Sequence, residues 1–221
     1  MVGPLRLLGE EPLLFVLLAG SLVAALTLHE YGHALAADLQ GDRLPRAMGR
    51  LTLNPARHLD PLGTILLLLV GFGWGKPVEF RPEALSSRRF GAAIVALAGP
   101  AMNLLLALLG ALVMRVTTDP DTLRFLVSSG LQESLPLLAR FGYLLTVINV
   151  LLAVFNLIPL PPLDGSRLLT IFLPPSKQRI VFWLDRWGFL VLLGLLFFGG
   201  FALLGPIVDT VGRAIFTIAG V

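Results

Sequence analysis

The 221-residue chain has no cysteine, and only 14% of its residues are charged. Without cysteine there are no disulfides and no thiolate metal sites, so any metal must be held by histidine and carboxylate. A soluble domain carries about 25% charged residues. The deficit stands beside a hydrophobic share of 56%. Together they exclude a disordered chain, a basic nucleic-acid-binding domain and almost any water-soluble enzyme. Lysine is also scarce, 2 against 15 arginines, a bias that carries no functional reading. The net charge of +3 is no signal for nucleic acid, because positive charge in an apolar chain marks cytoplasmic loops. What remains is an integral membrane protein. Its length suits one compact membrane domain, residues 1–221, with no room for a sizeable soluble one.

Four apolar stretches are free of charge: residues 12–28, continuing in helical pattern to about 39, then 90–114, 141–163 and 187–208. Each is long enough for a hydrocarbon core of about 30 Å, which needs about 20 helical residues. The first runs directly into a charged motif with no small-residue cleavage site, unlike a secretory signal. A fifth stretch, 61–75, is short and interrupted by Gly71, Gly73 and Gly75, which suits a re-entrant segment. Apolar and polar residues alternate in 50–54 and again in 78–81, the period of half-buried strands. The expected architecture is therefore an all-α polytopic membrane protein. It has about four transmembrane helices, a re-entrant segment and a small membrane-associated β-hairpin or sheet. Its core is 12–170, followed by a C-terminal transmembrane segment at 187–208.

The chemistry lies in His29-Glu30-Tyr31-Gly32-His33, which fits H-E-x-x-H. On a helix, positions i and i+4 share a face, so both imidazoles reach one ion and Glu30 lies beside its water. The alternative is a polar cluster satisfied within a helix bundle, but ionisable groups inside a span default to function. A catalytic zinc needs a third protein ligand. The acids near apolar segments are Asp38, Asp60, Asp164, Asp185 and Asp209. Asp164 stands out because Pro159, Pro161 and Pro162 unwind the chain just before it; a helix-end cap is its bland alternative.

Depth supports the pairing. His29 lies about 24 Å along its helix from Leu13 at 1.5 Å per residue, near the far face. Asp164 sits at the exit of the 141–163 stretch. The two meet only if those spans run in the same direction, and that requires 61–75 to return to the face it left. This topology puts Arg43, Arg46, Arg50, Arg57, Lys76, Arg81, Arg88, Arg89, Arg167, Lys177, Arg179 and Arg186 on the metal side. Arg6, Arg115, Arg124, Arg140 and Arg213 fall opposite. The metal side is then cytoplasmic and the N-terminus outside, in the cell membrane.

These residues resemble the site-2 protease family of intramembrane zinc metalloproteases, in a minimal form. The resemblance covers most of the chain to about Leu169. It rests on the H-E-x-x-H motif, Leu53-Asn-Pro-Ala-Arg-His58-Leu-Asp-Pro-Leu-Gly63-Thr and Gly73-Trp-Gly-Lys-Pro-Val78. It continues in Ala98-Gly-Pro-Ala-Met-Asn103 and Asn156-Leu-Ile-Pro-Leu-Pro-Pro-Leu-Asp-Gly165. Five weak motifs in this order are specific.

The resemblance implies one Zn2+ held by His29, His33 and Asp164, with Glu30 as catalytic acid/base. The substrate would be a transmembrane protein or peptide, cut in or near its transmembrane helix, a regulated intramembrane proteolysis. The partners are that substrate and the lipid bilayer, and no nucleic acid. Larger relatives carry a transmembrane segment before the motif, and PDZ or nucleotide-sensing domains, which are not expected here.

Asn156 reads as a hydrogen-bond donor to substrate backbone or oxyanion, or as helix–helix glue. Asn149, on the same face, reads as glue. Asn103 points to the site or satisfies a kink at Pro100. His58 reads as a loop-ordering residue, and the arginines of 43–57 as a solvated rim. A substrate must unwind to be cut, and Val78 and Phe80 on an edge strand could hold it by β-addition. The rival readings are a metal-binding membrane transporter and an inactive helix-binding relative.

Overall fold

The computed structural model describes residues 4–70, 73–87, 90–119, 122–123, 135–172 and 178–221. Seven helices carry the architecture: α1 (Pro12–Leu39), α2 (Pro61–Val70), α3 (Gly91–Thr117), α4 (Leu137–Asn156), α5 (Gly165–Phe172), α6 (Gln178–Phe197) and α7 (Gly205–Ala219). Among the described residues, α1, α3 and α4 are long and apolar enough to cross a membrane.

These three helices invert the pattern of a soluble bundle. On α3, Ile94, Leu97, Leu105, Leu109, Leu112 and Val116 are exposed. Its buried stripe is Ala96, Gly99, Asn103, Ala107, Gly110 and Met114. Lipid tails are as apolar as leucine, so helices associate through small residues and polar bonds instead. At the α3–α4 contact, a side chain on Gly110 would press on the Gly142 carbonyl, 2.6 Å away, and one on Gly142 would press on Gly110 in the same way. Thr146 beside them donates to Ala107 O at 3.1 Å.

The registers fix direction. His33 meets Val95 while His29 meets Asn103, so α1 and α3 are antiparallel. Asn103 meets Asn149 while Ala107 meets Thr146, so α3 and α4 are antiparallel too. Helices α1 and α4 therefore run the same way, as the depth argument requires.

Several expectations change. The 141–163 stretch is helical only to Asn156. Beyond it, Pro159, Pro161 and Pro162 cannot continue the ladder, and the chain turns irregularly to Asp164. The 187–208 stretch is not one helix. α6 ends at Phe197, Gly199 takes a positive φ of 80°, and α7 starts afresh with Pro206 in its first turn. A Gly-Gly pair and a helix-initiating proline divide a helix without introducing any charge. Helix α7 packs back on the bundle, with Ile215, Phe216 and Ala219 against Ala107, Ala111 and Met114.

No sheet forms among the described residues; the one pairing is an isolated antiparallel bridge, Leu59 to Gly75. Residues 50–54 bend because side chains take their polar groups. His58 Nε2 donates to Thr52 O at 2.7 Å, and Asn54 caps the turn Pro55–Arg57. Residues 78–81 keep the alternation of a strand, Val78 and Phe80 half-buried, Glu79 and Arg81 exposed, but have no strand partner among the described residues. Arg81 is instead tied to the fully buried Asp42. Its backbone N–H and its guanidinium both donate to that carboxylate. Burial pushes the Asp42 carboxyl up, and the bonds from Arg81 and Leu44 outweigh it, leaving it below the usual range.

Helix α2 is short and largely exposed. Its flanks meet: Leu59 bridges Gly75, and Lys76 N–H donates to His58 O at 2.7 Å. A segment whose ends touch cannot join opposite faces of a bilayer.

Candidate metal centre

His29 and His33 project from one face of α1, and Asp164 enters from the irregular stretch after α4. The two Nε2 atoms lie 3.0 Å apart. Asp164 Oδ2 is 3.1 Å from the first and 3.3 Å from the second. No other group of three His, Cys, Asp or Glu residues among the described ones draws together in this way.

The hydrogens explain why this cluster calls for a cation. His29 Nδ1 is 2.5 Å from Asn103 Oδ1, and His33 Nδ1 is 2.7 Å from Val95 O. Both partners are acceptors, so each Nδ1 carries the proton of the neutral ring. Each Nε2 is then a bare lone pair. Two such lone pairs and a carboxylate oxygen face one point, and among the described residues Asp164 Oδ2 has no hydrogen-bond partner. Zinc bonds of about 2.0–2.1 Å in a tetrahedron place ligand atoms about 3.4 Å apart. The observed separations match that spacing, and the donor set fits zinc.

The surroundings brace the ligands. Asn103 and Asn149 are both fully buried. Asn149 Nδ2 donates to Leu145 O at 2.8 Å, and Asn103 Nδ2 donates to Asn149 Oδ1 at 2.7 Å. That chain turns Asn103 Oδ1 toward His29. Gly99 makes room: a side chain there would lie 2.5 Å from His33 Cε1 and 2.7 Å from His29 Cε1. The sequence Gly99-Pro-Ala-Met-Asn103 thus supplies both the clearance and the brace for the imidazoles.

Glu30 is buried beside the cluster, and its Oε2 has no partner among the described residues. Asn156 is the last residue of α4, half-buried, and its Nδ2 donates to Leu152 O at 3.0 Å. Val78 lies on the unpartnered extended segment, and Phe80 packs against Ala37, Leu85 and Val95. Asn103, read from sequence as a substrate contact, instead lies behind a metal ligand. His58 is fully buried and orders its loop, as expected.

Sequence reasoning missed Arg50. Arg43 and Arg46 of the same run do face solvent, paired to Asp38, but Arg50 is buried with its guanidinium on backbone carbonyls. Burial pulls its pKa down, opposed by the carboxylates of Glu30 and Glu79. Its flank of Gly49 and Leu51 carries no charge periodicity that could have marked it.

The sequence matches the profile of Peptidase family M50 over residues 17–195. It is 38% identical over 177 residues to YwhC of Bacillus subtilis, covering 79% of this chain and 77% of that protein. It is 35% identical over 201 residues to Rip2 of Mycolicibacterium smegmatis, covering 88% and 70%. It is 33% identical over 171 residues to Rip2 of Mycobacterium tuberculosis, covering 75% and 60%. Each is a zinc metalloprotease by name. No solved structure matches. Motif, converging ligands and profile agree: the chain belongs to peptidase family M50, the zinc metalloproteases of site-2 protease type.

Proposed function

We propose that this membrane metalloprotease hydrolyses a peptide bond in or near the transmembrane helix of a membrane-protein substrate, a regulated intramembrane proteolysis. The observation that carries the reading is the convergence of His29, His33, Asp164 and an unpartnered Glu30 inside the helix bundle. The two Nε2 atoms and Asp164 would hold zinc, which when bound would supply Lewis-acid activation of water and of the scissile carbonyl. Glu30 takes the proton of the attacking water and passes it to the leaving amine. Asn156 offers its amide to the substrate carbonyl as negative charge develops on its oxygen. Asn103 and Val95 hold the imidazoles in the tautomer that leaves both Nε2 atoms free.

The extended edge at Val78 receives the unwound substrate by β-addition, and the backbone of 78–80, which has no backbone partner among the described residues, supports this. The site lies nearer the cytoplasmic face of the cell membrane, with the N-terminus outside. The basic residues argue for it, although Arg88, Arg89, Arg124 and Lys177 of that count fall outside the described residues. On this topology α6 supplies a fourth crossing, in place of the continuous 187–208 span.

Glu30→Gln separates hydrolysis from metal transport or passive helix binding. The variant is expected to keep one zinc per chain by metal analysis. Its cleavage of a model transmembrane substrate should fall by about 10²–10⁴, the range for a lost general base. Undiminished cleavage would overturn the mechanism.

A further inference from the structure

Arg50 is 2% exposed, and among the described residues no carboxylate accepts a hydrogen bond from it. Its guanidinium donates instead to three backbone carbonyls, those of Arg57, Lys76 and Pro77. Burying a cation is costly unless its donors are used. The planar fork of arginine can serve several acceptors in one plane, and the ammonium of lysine cannot reproduce that geometry.

Those carbonyls belong to two walls. Arg57 is on the loop before α2, and Lys76 and Pro77 are on the chain that returns after it. Arg50 pins the walls together where Lys76 N–H reaches His58 O and Leu59 bridges Gly75. The strap so fixed lies against Glu30. A side chain on Gly75 would stand 3.3 Å from Glu30 Oε1 and 3.2 Å from His58 O. The backbone of Gly75 is therefore a wall of the Glu30 pocket, and only glycine fits there without displacing one or the other.

We propose that Arg50 is a positioning residue for Glu30, acting through the Gly75–Lys76–Pro77 strap. The inference rests on the reading of Glu30 as acid/base. The three carbonyls are what the fork of Arg50 serves, so a substitution that keeps the charge and loses the fork still breaks the device. The same geometry sets where a substrate strand can begin. The carbonyls of Lys76 and Pro77 are spent on Arg50 and Pro77 has no N–H, so free backbone starts at Val78.

The test uses the purified full chain with zinc, carrying Arg50→Lys, Gly75→Ala or both. Zinc content, kcat and KM on a model transmembrane substrate are measured. Each single variant is expected to keep its zinc and to lose about tenfold or more in kcat with KM little changed, and the double variant to be no worse than the poorer single, because both act on one carboxylate. Full turnover in Arg50→Lys overturns the proposal. So does a double-variant loss equal to the product of the single losses, a loss carried by KM alone, or loss of zinc. Should Arg50→Lys not accumulate as folded protein, Gly75→Ala decides. A fall in kcat with zinc retained supports the strap, and normal kcat sinks it. The underlying reading fails separately, through cleavage by Glu30→Gln.

Discussion

The two halves of the metal centre are built differently. On the metal-holding side, each histidine ligand is braced from behind, His29 by Asn103 and Asn149 and His33 by Val95 O. On the reacting side, among the described residues, Glu30 Oε2 has no partner and Asn156 Nδ2 bonds back along its own helix to Leu152 O. Ligands must be held in place whether or not substrate is present, and rigid second partners fix their tautomer and orientation. Groups that exchange protons with a substrate must keep donors and acceptors free for it. The difference separates rigid from reactive chemistry within a few ångströms.

Substitutions can break that distinction in graded steps. Asp164→Ala should have the largest effect. Two bare lone pairs remain without an anion, and metal analysis is expected to find zinc lost and cleavage abolished. Retained zinc would remove Asp164 from the ligand set. Asn156→Ala comes next, on the reacting side. It should keep zinc and lower kcat by about 10²–10³, the effect of one lost oxyanion donor; a normal kcat would make Asn156 a helix-packing residue.

Asn103→Ala probes the brace. Zinc affinity, measured by chelator competition, should fall about 10–100-fold, and an unchanged affinity would detach the Asn103–Asn149 chain from the metal. Val78→Pro is the mildest. It removes one backbone donor from the open edge, and a lost hydrogen bond of about 1 kcal/mol raises KM by roughly five- to tenfold with zinc intact. Unaltered KM would place the substrate elsewhere.

Some of this was legible in the chain. The H-E-x-x-H spacing put two imidazoles on one helical face, and the prolines just before Asp164 singled it out among five acids. Other readings failed for identifiable reasons. Alternation in 50–54 suggested a strand, but the His58 side chain takes Thr52 O and the Thr52 hydroxyl takes Asn54 N–H, bonds that a neighbour would need. The charge-free stretch 187–208 suggested a span, but Gly199 and Pro206 divide it. Asn103 pointed toward the site, yet nothing in its neighbourhood along the chain tells a ligand brace from a substrate contact.

Arg50 is the clearest case. In sequence it is one of several arginines in a loop, and in the structure it alone of Arg43, Arg46 and Arg50 is buried. Hydropathy, helical period and the spacing of a metal motif are properties of neighbouring residues, so the sequence by itself determined a membrane bundle with a histidine pair on one helix face. Which amide braces the site and which guanidinium sets the wall of Glu30 are contacts between residues far apart in the chain. Only the antiparallel packing of α1, α3 and α4 and the return of the 61–75 segment decided them.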